Sequence, residues 1–181
     1  MTTTIAVLVW MQVLLIGFGT ELVARHETAV SEFIKNSYDA DARSTSISFL
    51  DVNNTGGSLI IEDNRNGMTR DQLVNGFMKI SSTSKIHKPE SPIFKRKRAG
   101  RKGIRRFSTQ RLGNKRTIIT QTEDSDFALK LIVDWEKYKM DGNLIFITNK
   151  IEEISKTKEK GTTLRIDGLR EWWSEAMIKR V

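Results

Sequence analysis

Ala29–Ala42 reads AVSEFIKNSYDADA. Taken as a helix, it puts Glu32, Asn36 and Asp39 at spacings i, i+4 and i+7, on one face. Val30, Phe33, Ile34 and Ser37 fill the neighbouring faces. A carboxylate, an amide and a second carboxylate beside an apolar stripe can be a solvated polar surface. The same set can hold Mg²⁺ and a water molecule, because Mg²⁺ takes oxygen ligands and keeps several of its waters.

Outward from this helix, the pattern predicts an α+β chain. Thr4–Val9 reads as a strand and Trp10–Phe18 as a short helix, or the two together as one buried helix. Thr20 is a candidate cap for a helix running to about Asp41, with a break near Arg25–Thr28. Ser44–Asp51 alternates as a strand does, Asn53–Gly57 is a turn, and Ser58–Glu62 is apolar enough for a central strand. That strand leads into Asp63-Asn64-Arg65-Asn66-Gly67-Met68, so a carboxylate stands at a strand's exit into a loop. Thr69 predicts a capped helix over Arg70–Met78. Lys79–Arg101 is long and polar, with Pro89 and Pro92, and reads as a loop of the kind that forms lids. Beyond it come a helix over Gly103–Leu112, strands at Lys115–Gln121, Phe127–Trp135, Leu144–Thr148 and Gly161–Asp167, and a closing helix over Leu169–Arg180 with both Trp172 and Trp173 partly buried. The order predicts a two-layer sandwich: a mixed, mostly antiparallel sheet with helices on one face.

Composition narrows the function classes. At 181 residues one domain is expected, with enough core to need no covalent staple. There is no cysteine, which removes disulfides and thiolate metal sites and fits a reducing, cytoplasmic setting. His26 and His87 are too isolated to suggest zinc. The apolar run Ile5–Phe18 is too short to span a membrane, and no basic residue precedes it as in a secretory signal. Gly17-Phe18-Gly19 lacks the third glycine of a dinucleotide fingerprint, Leu22 standing in its place. The net charge of +8 is local: residues 95–116 hold eleven Lys/Arg and no Asp/Glu, and the remainder holds 19 basic against 22 acidic residues. Such a segment can face nucleic acid or the phosphates of a small ligand.

Five stretches in register resemble the GHKL ATPase superfamily of gyrase B, heat-shock chaperones, histidine kinases and MutL, with bacterial histidine-kinase-like and MORC-like proteins nearest. SEFIKNSYDADA resembles its first nucleotide motif and IIEDNRNGM its second. ISSTSK resembles the start of its lid, GRKGIRRF its phosphate loop and GTTLRI its last strand motif.

The resemblance implies a Bergerat-type ATP-binding fold over residues 1–181 with a lid at about 79–106, forming the N-terminal part of a larger protein. It implies ATP and Mg²⁺ as cofactors, with ATP or ADP as the bound ligand. Glu32 would be the general base toward water and Asn36 the Mg²⁺ ligand, with Asp39 in support. Asp63 would accept from the adenine amino group, with Gly67 and Met68 lining the base pocket. Lys85 and the loop Gly100, Arg101, Lys102, Gly103, Ile104 and Arg105 would meet the phosphates, and Thr162 would touch the nucleotide. ATP closing the lid would drive conformational change or homodimerisation, with a downstream transducer domain as partner. The alternative is a nucleic-acid module using residues 95–116, or a nucleotide domain with little hydrolysis. Neither reading involves a membrane. Arg65, Ser81 and Arg105 stand where the family pattern carries glycine.

Overall fold

A computed structural model describes residues 3–7, 25–75, 90, 91, 93–97, 111–138 and 147–181. Within them lie seven strands: β1 (Thr3–Val7), β2 (Thr45–Leu50), β3 (Ser58–Asp63), β4 (Gly113–Gln121), β5 (Phe127–Asp134), β6 (Ile147–Ser155) and β7 (Gly161–Leu169). The helices are α1 (His26–Asp39), α2 (Arg70–Leu73) and α3 (Glu175–Ile178), with a 3-10 turn over Trp135–Tyr138. The strands form one sheet in the order β1-β6-β5-β4-β7-β3-β2. Where the sequence allowed a mixed sheet, every neighbouring pair is antiparallel.

The register explains the core. Successive side chains alternate between faces of a strand, so antiparallel partners line up in rows across the sheet. One row runs Ile47, Ile61, Leu164, Ile118, Leu131 and Ile151. The next on that face runs Phe49, Leu59, Ile166, Arg116 and Val133. Ala29, Val30 and Phe33 of α1 share one buried cluster with these rows. Each fully buried Leu or Ile contributes about 1.5–3 kcal/mol. Arg116, buried among them, carries its guanidinium 5.7 Å from the Trp135 ring.

Helix α1 starts at His26 after an extended Arg25; the expected stretch from Thr20 to that point lies outside the described residues. The helix ends because Asp41 takes φ +63, a left-handed conformation that Asp tolerates better than most residues. The Ala42 amide then returns to the Ser37 carbonyl at 3.0 Å. Thr69 caps α2 as expected: its hydroxyl accepts from the Gln72 amide while the Gln72 carboxamide accepts from the Thr69 amide.

Three expectations are corrected. The strand expected at Leu144–Thr148 is β6, Ile147–Ser155; its charged run is a strand because β1 and β5 pair with it on both sides. The closing helix shrinks to α3, capped by Ser174, because Leu169 is still in β7 and the chain turns between them. Of the two tryptophans, Trp173 is buried at 2% exposure and packs 4.9 Å from the Phe49 ring, whereas Trp172 is 54% exposed. The helix expected at Trp10–Phe18, the Thr20 cap and all but the end of the Gly103–Leu112 helix lie outside the described residues. No helix among the described residues is long and apolar enough to cross a membrane.

Candidate functional site

The third row on the α1 side of the sheet breaks the apolar pattern. It runs Thr45, Asp63, Thr162, Thr120 and Leu129, near one end of the strands. Asp63, Thr162 and Thr120 are buried, so each must find partners. Thr120 Oγ1 and Thr162 Oγ1 lie 3.0 Å apart and share a hydrogen bond. Asp63 gathers donors on both oxygens: Ser37 Oγ reaches Oδ2 at 3.0 Å, and the Thr162 amide reaches Oδ1 at 3.2 Å. The Arg65 amide adds a third, to Oδ1 at 3.3 Å. Ser37 is one residue after Asn36 on α1, so this bond ties the helix to the carboxylate.

The loop leaving β3 is pinned along its length. Asn64 Oδ1 accepts the amides of Arg43 and Ser44 at 2.9 and 3.0 Å. The Met68 amide donates to Thr120 Oγ1 at 2.8 Å. Gly67 has φ +70, and a Cβ there would run into the Gln121 carbonyl, so glycine is required where this loop crosses β4. Asp63, Gly67, Met68 and Thr162, separated in the sequence, are thus held around Thr120.

On α1, Glu32 and Asp39 are buried and Asn36 is half-buried. The Lys35 ammonium lies 2.9 Å from Glu32 Oε1, one turn along the helix. Among the described residues no group of three or more His, Asp or Glu side chains is gathered as a metal cage. A carboxamide oxygen such as that of Asn36 still suits Mg²⁺, which needs only one or two protein oxygens when phosphates and waters complete its shell.

Within the expected lid, residues 90, 91 and 93–97 are described. Glu90 and Lys97 form a β-bridge, and Ser91 and Arg96 close the turn between them. Asp41 holds this turn: its carboxylate accepts the amides of Ile93 at 2.8 Å and Phe94 at 3.1 Å. Burial pushes the Asp41 carboxyl up, but hydrogen bonds from Ser91, Ile93 and Phe94 and the Arg96 charge outweigh it and hold the group below its ordinary value. Arg96 also donates to the Ala42 carbonyl at 2.9 Å and lies over the Tyr38 and Phe94 rings. Two cations of the basic segment, Arg96 and Arg116, are therefore built into the fold.

Lys85 and the run Gly100, Arg101, Lys102, Gly103, Ile104 and Arg105 lie outside the described residues, as does Ser81. Sequence reasoning missed Thr120, Ser37 as a partner of Asp63, and the Asp41 clasp. Only Ser37 carried a signal, its place between Asn36 and Asp39. Thr120 looks like any strand threonine until the register sets it beside Thr162.

A family model described as histidine kinase-, DNA gyrase B-, and HSP90-like ATPase matches residues 24–162, well over half of the chain. No curated protein matches it.

Proposed function

The chain belongs to the histidine kinase-, DNA gyrase B- and HSP90-like ATPases, and from that premise we propose that it is a Mg²⁺-dependent module that binds and hydrolyses ATP. The observation that carries this reading is the buried Asp63 carboxylate in the polar row, beside Thr162 and tied to α1 through Ser37. A carboxylate accepts hydrogen bonds and donates none, so it suits the adenine amino group and rejects a carbonyl at that position. Gly67 and Met68 line the same corner, with the Met68 amide fixed on Thr120.

Glu32 orients the attacking water and takes its proton; phosphoryl transfer otherwise needs mainly positioning and charge stabilisation. Asn36 would hold Mg²⁺ through its amide oxygen, and Asp39 would support the water shell around it. Mg²⁺, when bound, supplies charge neutralisation on the phosphates. Lys85 and the backbone amides of Gly100–Gly103 would receive the phosphates. Closure of the lid at about 79–106 passes ATP occupancy to a downstream domain or a second copy of the chain.

Calorimetry with ATP, ADP and GTP, with and without Mg²⁺, tests the reading. Adenine-selective binding strengthened by Mg²⁺ is expected, and absence of nucleotide binding overturns it. Glu32→Ala should keep ATP binding and slow turnover about 10²–10⁴-fold. Turnover at the parent rate would remove Glu32 as the base.

A further inference from the structure

Arg65 stands where the family pattern carries glycine, and it touches both side chains that the proposed base site uses. Its Nε donates to Thr162 Oγ1 at 3.3 Å and lies 3.1 Å from Asp63 Oδ2. Its own amide already occupies Asp63 Oδ1. A carboxylate offers about four acceptor positions. On Asp63, Ser37 Oγ, the Thr162 amide and the Arg65 amide fill three, and the Arg65 guanidinium covers the remaining side. The Thr162 hydroxyl is engaged as well, between Arg65 Nε and Thr120 Oγ1. The Arg65 side chain is only 14% exposed, so this is a partly desolvated contact rather than a loose surface pair.

A guanidinium is a donor without acceptors, and toward a carboxylate an exocyclic amine plays the same part. The two compete for one set of oxygens. The backbone cannot carry Arg65 away, because Asn64 is fixed on Arg43 and Ser44 and Met68 on Thr120. Rotation about the side-chain bonds remains, and it moves the guanidinium alone.

We propose that Arg65 is an internal competitor for the base site: its guanidinium occupies Asp63 and Thr162 in the nucleotide-free protein, and adenine binds by displacing it. The proposal rests on the ATP reading above and adds an autoinhibitory contact that sets the affinity. A site open for only part of the time binds more weakly by that fraction. The contact concerns the base and leaves the phosphates aside, so ATP and ADP should be affected alike and a base-free polyphosphate should not benefit from its loss.

The experiment titrates ATP and inorganic tripolyphosphate into the parent chain and into Arg65→Ala, with a thermal melt of each. In Arg65→Ala, ATP should bind about tenfold more tightly, while tripolyphosphate binds no more tightly than before. Unchanged or weaker ATP binding, where the parent does bind ATP, overturns the competitor and leaves the ATP site standing. Binding of ATP by neither protein overturns both. A second measurement uses the parent alone, so that a poorly folded variant decides nothing: the Arg65 Nε–H signal in ¹⁵N NMR should shift and lose exchange protection as ATP saturates the protein. A signal undisturbed at saturation overturns the displacement.

Discussion

Asp63 and Asp41 are both buried, at 7% and 5% exposure, and both collect backbone and side-chain donors, yet they sit in regions built differently. The donors to Asp41 come from one short turn: two consecutive amides, Ile93 and Phe94, and the Ser91 side chain, with the Arg96 charge nearby. The contacts on Asp63 come from α1, from β7 and from the loop after β3, and one is a guanidinium that can swing away. A carboxylate closed off by successive amides of one loop is a fastener. One that stands in a sheet row, with an exchangeable cation on its outer side, can trade that cation for a ligand. Burial and hydrogen bonding are therefore poor guides to function by themselves; the source of the donors separates the two acids.

The largest effect expected from this contrast is on nucleotide affinity. Asp63→Asn should weaken ATP binding by about 1.5–3 kcal/mol, the scale of a hydrogen bond to a charged group. Calorimetry on the variant reads it directly, and undiminished affinity would make Asp63 a fastener like Asp41. Stability should fall as well, because the single oxygen of Asn cannot serve Ser37 on one side and the Thr162 and Arg65 amides on the other.

How much of this contrast the sequence reveals depends on the distance over which the information travels. The stripe Glu32, Asn36, Asp39 follows from helical spacing alone, and the Thr69 cap and Gln72 lie three residues apart. Asp63 is visible as an acid at the end of an apolar strand. Thr120 is invisible, because its meaning comes from a partner 42 residues away that only the β4–β7 register supplies. Arg65 reads as a surface residue of a polar loop until the fold turns its side chain back onto Asp63 and Thr162. Strand β6 hides for a related reason: Lys150 and Glu152 pair with each other at 3.0 Å on one face, and the strand is specified by its neighbours β1 and β5 rather than by its own hydrophobicity. The Asp41 clasp joins residues 52 and 53 positions apart, with no periodic pattern between them.

A smaller effect is expected at the fastener. Asp41→Asn keeps a side chain that tolerates φ +63, but it loses the charge and keeps an acceptor for only one of the Ile93 and Phe94 amides, which bond separate carboxylate oxygens. It should cost about 1 kcal/mol of stability, since the charge is lost and the amide left without its acceptor lies in an exposed turn where water can replace it, and should change ATP affinity less than Asp63→Asn does. Denaturant unfolding measures the first. Limited proteolysis should cut faster within residues 90–97 of the variant, where the turn is less firmly held. Equal loss of ATP affinity in the two variants would erase the distinction drawn between the two acids.

The smallest effect is the share of the clasp that depends on ionisation, and pH isolates it. The Asp41 carboxyl in the folded chain lies below its ordinary value, since burial, which raises it, is outweighed by the Ser91, Ile93 and Phe94 hydrogen bonds and the Arg96 charge. A depressed folded value means that the unfolded chain binds the proton more readily than the folded one. The contribution is therefore complete above the unfolded value, and it is lost as pH falls from there through the folded value. Protonation leaves the carbonyl oxygen to accept an amide and removes only the charge-dependent part, so the effect is smaller than that of replacing the side chain. Other carboxylates titrate in the same range, and a comparison with Asp41→Asn cancels them. The gap in melting temperature between the parent and Asp41→Asn should be constant above about pH 5 and should narrow as pH falls below about 4. A gap that stays constant into acid would mean that the charge on Asp41 does not help to hold residues 91–96, and that the amides of Ile93 and Phe94 are held by geometry alone.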